Sequence, residues 1–158
     1  MTKQGDVSLL NDPVAQMLLH STNPARLAYV WHDGSPRVVP IWFHWTGKEI
    51  VHGTAPTAAK LKVLRNNSPV AVTIDSIDWP YKILQIRGKT QIQTMQGIVP
   101  EYAAAAERYF GAEQGRAWVD QFHQMFSEMV RIAIRPEWVS VIDFEKRFPN
   151  PIEAAMSR

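Results

Sequence analysis

The chain has 158 residues, a net charge of +2 and no cysteine. That length suits one domain, residues 1–158, with a real core; the charge is too small to mark a nucleic-acid surface. Disulfides, thiolate metal sites and cysteine nucleophiles are excluded, and no apolar run is long enough to span a membrane.

Residues 1–6 read as a loose end. They lack the basic-then-apolar pattern of a signal peptide, and with no cysteine the expectation is a cytoplasmic protein. Asp12-Pro13 opens an N-terminal helix over about 12–20, with Val14, Met17 and Leu18 on one face, and Ser21 to Pro24 breaks it. Leu27 to Trp31 alternates as a first strand, and His32 to Pro36 turns the chain.

Arg37 to Trp45 is the stretch on which the rest depends. Arg37, Val39, Ile41, Phe43 and Trp45 share one face; Val38, Pro40, Trp42 and His44 share the other. Both sets are largely apolar, so the outer face of this strand needs a helix, a second subunit or a flat ligand against it. Pro40 has no amide donor and prefers an edge or bulge. Thr46-Gly47-Lys48 makes a turn and Ile50 to Thr54 the return strand.

Ala55-Pro56-Thr57 suits the start of a helix running to about Asn67, with Lys60 and Lys62 a turn inside. Amides, hydroxyls and lysines there read either as a phosphate site or as an ordinary solvated helix. Val70 to Asp75 is a strand, Ser76 to Tyr81 a loop with Trp79 as lid, subunit contact or packing, and Lys82 to Gln93 the longest strand. Gly88 marks a bulge or close approach within it, and Arg87 is either ion-paired or faces a ligand groove.

A helical insertion spans about 99–127: one helix to Phe110, stopped by Gly111, and a second from Ala112 to Ser127 with Trp118, Phe122, Met125 and Phe126 at helical spacing. Val130 to Arg135 and Trp138 to Phe144 read as two further strands, and 145–158 as a tail with Pro149 and Pro151.

Three ordered blocks carry a resemblance: Asp33 to Phe43; Thr57-Ala58-Ala59-Lys60 with Leu64 to Asn67; and Ile86-Arg87-Gly88-Lys89. Together they resemble the pyridoxamine 5′-phosphate oxidase-like family, from about Pro24 to Phe144. The resemblance implies a mainly β fold with flanking helices (α+β), a six-stranded antiparallel split β-barrel of the FMN-binding type. It also implies a homodimer with FMN in a groove between subunits and a small-molecule substrate; close relatives use a deazaflavin instead. Carried onto this chain, Lys60 is the first choice for the cofactor phosphate, with Thr54, Thr57, Arg37 and Lys62 supporting. Val39, Pro40, Ile41 and Trp42 supply the wall and backbone groups for the flat ring.

Two departures from the family pattern matter. Ala59 stands where the family often has a second basic residue, and Arg147-Phe148-Pro149 where the oxidases that make vitamin B6 carry Arg-x-His. The expected activity is therefore a flavin-dependent oxidoreductase acting on some other small molecule. A deazaflavin reductase and a non-catalytic flavin or haem binder, with His44 or His123 as iron ligand, are the alternatives. His44 and His52, read as neighbours across the hairpin at Thr46-Gly47, make a poor zinc site without further ligands, so no metal is expected; Gly-x-Ser-x-Gly and dinucleotide-binding fingerprints are absent.

Overall fold

The computed structural model describes residues 1–158. Seven antiparallel strands form one sheet: β1 (Ala25–Val30), β2 (Pro36–Ile41), β3 (His44–Trp45), β4 (Ile50–Thr54), β5 (Pro69–Asp75), β6 (Lys82–Gln96) and β7 (Glu128–Asp143). Their order is β2-β1-β5-β6-β7-β4-β3, so β2 and β3, adjacent in the chain, lie at opposite ends of the sheet, which stays open there. Four helices flank it: α1 (Pro13–Leu19), α2 (Pro100–Phe110), α3 (Ala112–Met125) and α4 (Asn150–Met156).

Alternation fixes which side is inside. Val70, Val72 and Ile74 of β5 and Leu84 and Ile86 of β6 are buried, while Ala71, Gln85, Arg87 and Lys89 between them are exposed. Ile132, Ile134, Val139 and Val141 of β7 complete the core, and α1 adds Leu18 and Leu19 at one end. Asp12 starts α1 by accepting the Val14 amide at 2.8 Å, with Pro13 in the first turn. A smaller apolar cluster lies on the other side of β4 and β7, where Val51, Met129 and Ala133 meet Tyr102 and Phe122 of α2 and α3.

Several expectations change. The two last strands are one: β7 runs unbroken past Pro136, and the register slip falls between Arg87 and Gly88. Gly88 is required there, because a Cβ on it would sit 2.0 Å from the Arg135 carbonyl oxygen. Arg87 is neither ion-paired nor buried; its guanidinium lies 4.0 Å from the Trp138 ring centroid. The opening residues are held rather than loose, because β4 pairs with β7 only as far as Ile134. Beyond it the Gly5 amide donates to Val139 O at 2.8 Å, and the Gln4 side chain bonds both backbone groups of Val141. The tail contains α4, and the buried Arg147 donates to the Thr2 carbonyl.

The expected helix after β4 is a single 3-10 turn, Ala59–Lys62. The following residues are claimed by β6 instead. Asn67, at φ 64°, donates its amide to Thr90 O at 2.7 Å, and Asn66 Oδ1 accepts the Ile92 amide at 2.7 Å. Arg65 turns back to donate to the Leu64 and Lys62 carbonyls at 2.8 and 3.0 Å. A four-residue turn carries no useful macrodipole, so that part of the phosphate argument falls away.

Candidate functional site

The stretch expected as one strand from Arg37 to Trp45 is interrupted at Trp42 and Phe43. The interruption follows from topology: the chain must leave β2, beside β1, at one sheet end and enter β3, beside β4, at the other. It leaves two carbonyls without ladder partners, and a buried one costs about 1–3 kcal/mol unless bonded. Both are bonded by side chains. His52 Nδ1 lies 3.0 Å from the Trp42 oxygen, and Arg108 Nη2 of α2 donates to the Phe43 oxygen at 2.5 Å. Arg108 also donates to Ser21 O at 3.0 Å and lies over the Phe43 and Tyr109 rings.

His52 is only 8% exposed. Facing Ile132 across the β4–β7 ladder, it shares a strand face with Ile50 and Thr54. Since a carbonyl can only accept, Nδ1 carries the proton and Nε2 is a bare lone pair with no partner. Burial, with the nearby Lys60 charge adding to it and the Trp42 bond opposing it, pushes the imidazole down to about 3, so it is neutral at any physiological pH. His44 pairs with Val51, one register position away, so the two histidines point to opposite faces and form no pair. Burial, and then the Arg108 charge, lowers the His44 imidazole, with Glu101 opposing. His123 is exposed on α3.

Among the residues singled out in the sequence, Thr54 and Lys60 come together: Lys60 Nζ lies 3.4 Å from Thr54 Oγ1. Lys60 is half-buried, and no carboxylate pairs with it. Burial lowers its ammonium below the ordinary lysine range. Thr57 and Lys62 are exposed on the same loop. Arg37 stays on β2, over the Trp31 ring at 5.1 Å and 3.4 Å from Ser35 Oγ, so it makes no contact with Lys60. Ile41 is inside the main core and Val39 packs against it; Pro40 is exposed on the open edge.

Trp42 belongs to the smaller cluster. Its ring centroid lies 4.7 Å from Phe110, 5.7 Å from Tyr102, 5.9 Å from Tyr109 and 6.1 Å from Trp118. Gly53 makes the approach of α2 possible, since a Cβ there would meet the Tyr102 side chain at 2.9 Å. Trp118 Nε1 donates to Tyr102 Oη at 2.7 Å, and burial raises the phenol. Glu101 of α2 accepts from Arg131 of β7 at 2.6 and 3.0 Å; burial would raise its carboxyl, but Arg131 holds it below the usual value. The arrangement is thus a half-buried, unpaired ammonium with a hydroxyl beside it, an open strand edge, and an aromatic wall fixed to two helices.

The sequence reading missed His52 and Arg108 as supports. His52 carried a signal: it is the one ionisable residue on the strand Ile50 to Thr54, alternating with the apolar side. Arg108 carried none beyond its place on an aromatic helix face.

The model of the pyridoxamine 5′-phosphate oxidase family matches residues 12–143, and the chain belongs to that family. Solved structures agree. A conserved hypothetical protein from Mycobacterium tuberculosis aligns with a TM-score of 0.66 at 20% identity, over 92% of each chain. An F420 reductase aligns at 0.57 and 25% identity, over 79% of this chain and 94% of that one. An FAD and haem binding protein from Mycobacterium smegmatis aligns at 0.56 and 19% identity, over 97% of this chain and 78% of that one. No curated protein matches the chain significantly.

Proposed function

We propose that this chain is a flavin-dependent oxidoreductase that binds FMN, with a deazaflavin as the second reading, in a groove shared by two copies. The observation that carries it is Lys60. A half-buried ammonium with only a threonine hydroxyl beside it lacks its anion, and a phosphate monoester supplies one. The residues present fit that group: Lys60 and Thr54 offer a charge and a donor, and Thr57 and Lys62 lie exposed on the same loop. The unpaired edge of β2, from Val39 to Ile41, offers backbone groups to the rim of a flat ring, with Trp42 just beyond it. The bound flavin itself would supply the hydride and electron chemistry.

The chain's own tasks are then binding, orientation and exclusion of water. The rings around Trp42 make an apolar wall on the α2–α3 side. Val38, 65% exposed on edge strand β2, supports a second copy as the cover for that strand. The deazaflavin reading is favoured by the 25% identity to an F420 reductase over most of the chain. Arg147, at the place of the family's substrate arginine, is spent on the Thr2 carbonyl, which supports a substrate other than a vitamin B6 phosphate.

Titration with FMN and with the deazaflavin, followed by absorbance, tests the proposal; binding of either one with 1:1 stoichiometry per chain is expected. Lys60→Ala should weaken binding of the phosphate-bearing cofactor by ~1–3 kcal/mol, or about 5- to 150-fold. Reduction of the bound cofactor by NADPH or reduced deazaflavin, then reoxidation by an added acceptor, separates an enzyme from a carrier. A protein that binds neither cofactor overturns the reading.

A further inference from the structure

The Trp42–Phe43 interruption is fastened from two sides. His52 reaches it from β4 and Arg108 from α2, and each bonds one of the two carbonyls that the missing ladder leaves over. His52 lies two residues from Thr54 on the same strand face, so one short strand holds both the Trp42 carbonyl and the hydroxyl beside Lys60. Arg108, through Phe43 O, Ser21 O and the Phe43 and Tyr109 rings, ties the same point to the segment after α1 and to α2. Three pieces of the candidate site therefore meet at one break: the end of the β2 edge, the anion-holding loop and the aromatic helices.

We propose that His52 and Arg108 are positioning residues for the flat ring of the cofactor, setting the direction of Val39 to Trp42 through the Trp42 and Phe43 carbonyls without touching the ligand. The proposal rests on the flavin reading above. It separates two jobs within the site: Lys60 and Thr54 hold the anionic end, and the fastened break orients the wall for the ring. The Trp42 carbonyl already accepts from His52; the backbone groups that meet the ring come from the free edge of β2. His52 is more than a filler: an apolar side chain there would leave the Trp42 carbonyl unsatisfied, and the fold accepts a bare Nε2 in order to bond it.

The two jobs respond differently to a ligand stripped of its phosphate. Dissociation constants are to be measured for FMN and for riboflavin with the whole chain and four variants: Lys60→Met, His52→Leu, His52→Asn and Arg108→Met. Lys60→Met should weaken FMN alone. His52→Leu and Arg108→Met should weaken FMN and riboflavin by the same factor, ~10-fold or more, because each leaves a carbonyl at the break unsatisfied. His52→Asn, whose amide N–H stands near the place of Nδ1–H, should restore both to within about threefold of the parent. A purely structural role predicts lower melting temperatures with unchanged dissociation constants, and that result overturns the proposal. If His52→Leu does not fold, Arg108→Met still decides it: both dissociation constants rise together if the proposal holds and stay at the parental values if it does not. Absence of any flavin binding by the parent chain defeats the underlying reading as well, whereas parental binding with insensitive variants defeats only this inference.

Discussion

Along β6 and β7 the backbone pairs residue by residue from Lys82–Asp143 to Gln96–Glu128, with one slip at Gly88. Between β2 and β4 the chain does the opposite: the ladder stops at Ile41, and side chains from two other elements satisfy the backbone. The first region owes its order to repetition, with each inward residue backed by the next. The second owes its order to single contacts, so losing one is felt locally. The comparison explains why candidate ligand-binding groups gather at the second region: an open strand edge and a half-buried, unpaired ammonium are left over there for something else to use.

The largest expected effect belongs to the paired region. Leu84 is fully buried between Ile74 and Val141 in register. Leu84→Ala should cost ~2–5 kcal/mol of unfolding free energy in a denaturant titration. Cofactor affinity of the molecules that remain folded should stay within about twofold, since Leu84 sits in the β5–β6–β7 ladder and makes none of the hydrogen bonds that fasten the break. A strong loss of affinity at undiminished stability would mean that the two regions are not separable.

How far the sequence reached follows the same division. Where Val70, Val72 and Ile74 alternate with Ala71, Thr73 and Asp75, period and burial agree and the strand is readable. The helical insertion was equally readable, with Gly111 as its punctuation at φ 86°. The helix after Pro56 failed because its fate is decided by Asn66, Asn67 and Thr90, which meet only once β6 is in place. The break at Trp42 failed for a related reason. Arg37 to Trp45 reads as one continuous strand, apolar on both faces, and the distance between the two sheet ends divides it. In the site, the Thr54–Lys60 pairing was within reach of local reasoning, six residues apart along the chain. The link from Arg108 to Phe43, 65 residues apart, was not.

A middle-sized effect is expected where α2 is tied to the sheet. Arg131 and Glu101 form a two-point contact, with side chains 21% and 19% exposed. Arg131→Met should cost ~1–3 kcal/mol at neutral pH, below the range for fully buried pairs because water still reaches both groups. The pH dependence has a definite sign. Glu101 has its carboxyl below the ordinary 4.5 in the folded chain, so its contribution is present above that value and is lost as pH falls through the folded one. Parent and variant stabilities should therefore converge as pH falls from 4.5 through the lower folded-state value. A constant gap across that window would assign the loss to packing of the arginine stem.

The smallest effect tests whether α2 and α3 are held to each other by more than apolar contact. Trp118 Nε1 reaches Tyr102 Oη at 2.7 Å, and this is the side-chain hydrogen bond between the two helices. Trp118→Phe keeps a ring beside Trp42 and removes the donor. Because Trp118 is 36% exposed, water can approach the abandoned phenol, and the cost should be near ~0.5–1 kcal/mol. A second reading of the same variant is more diagnostic than its melting temperature. Burial raises the Tyr102 phenol and the indole N–H opposes that rise, so without the indole the phenol should titrate at still higher pH. Phenolate absorbance followed from pH 9 to 12 measures it. An unmoved titration would mean that the indole and phenol part in solution, leaving the apolar seam around Phe122 to hold the helices together.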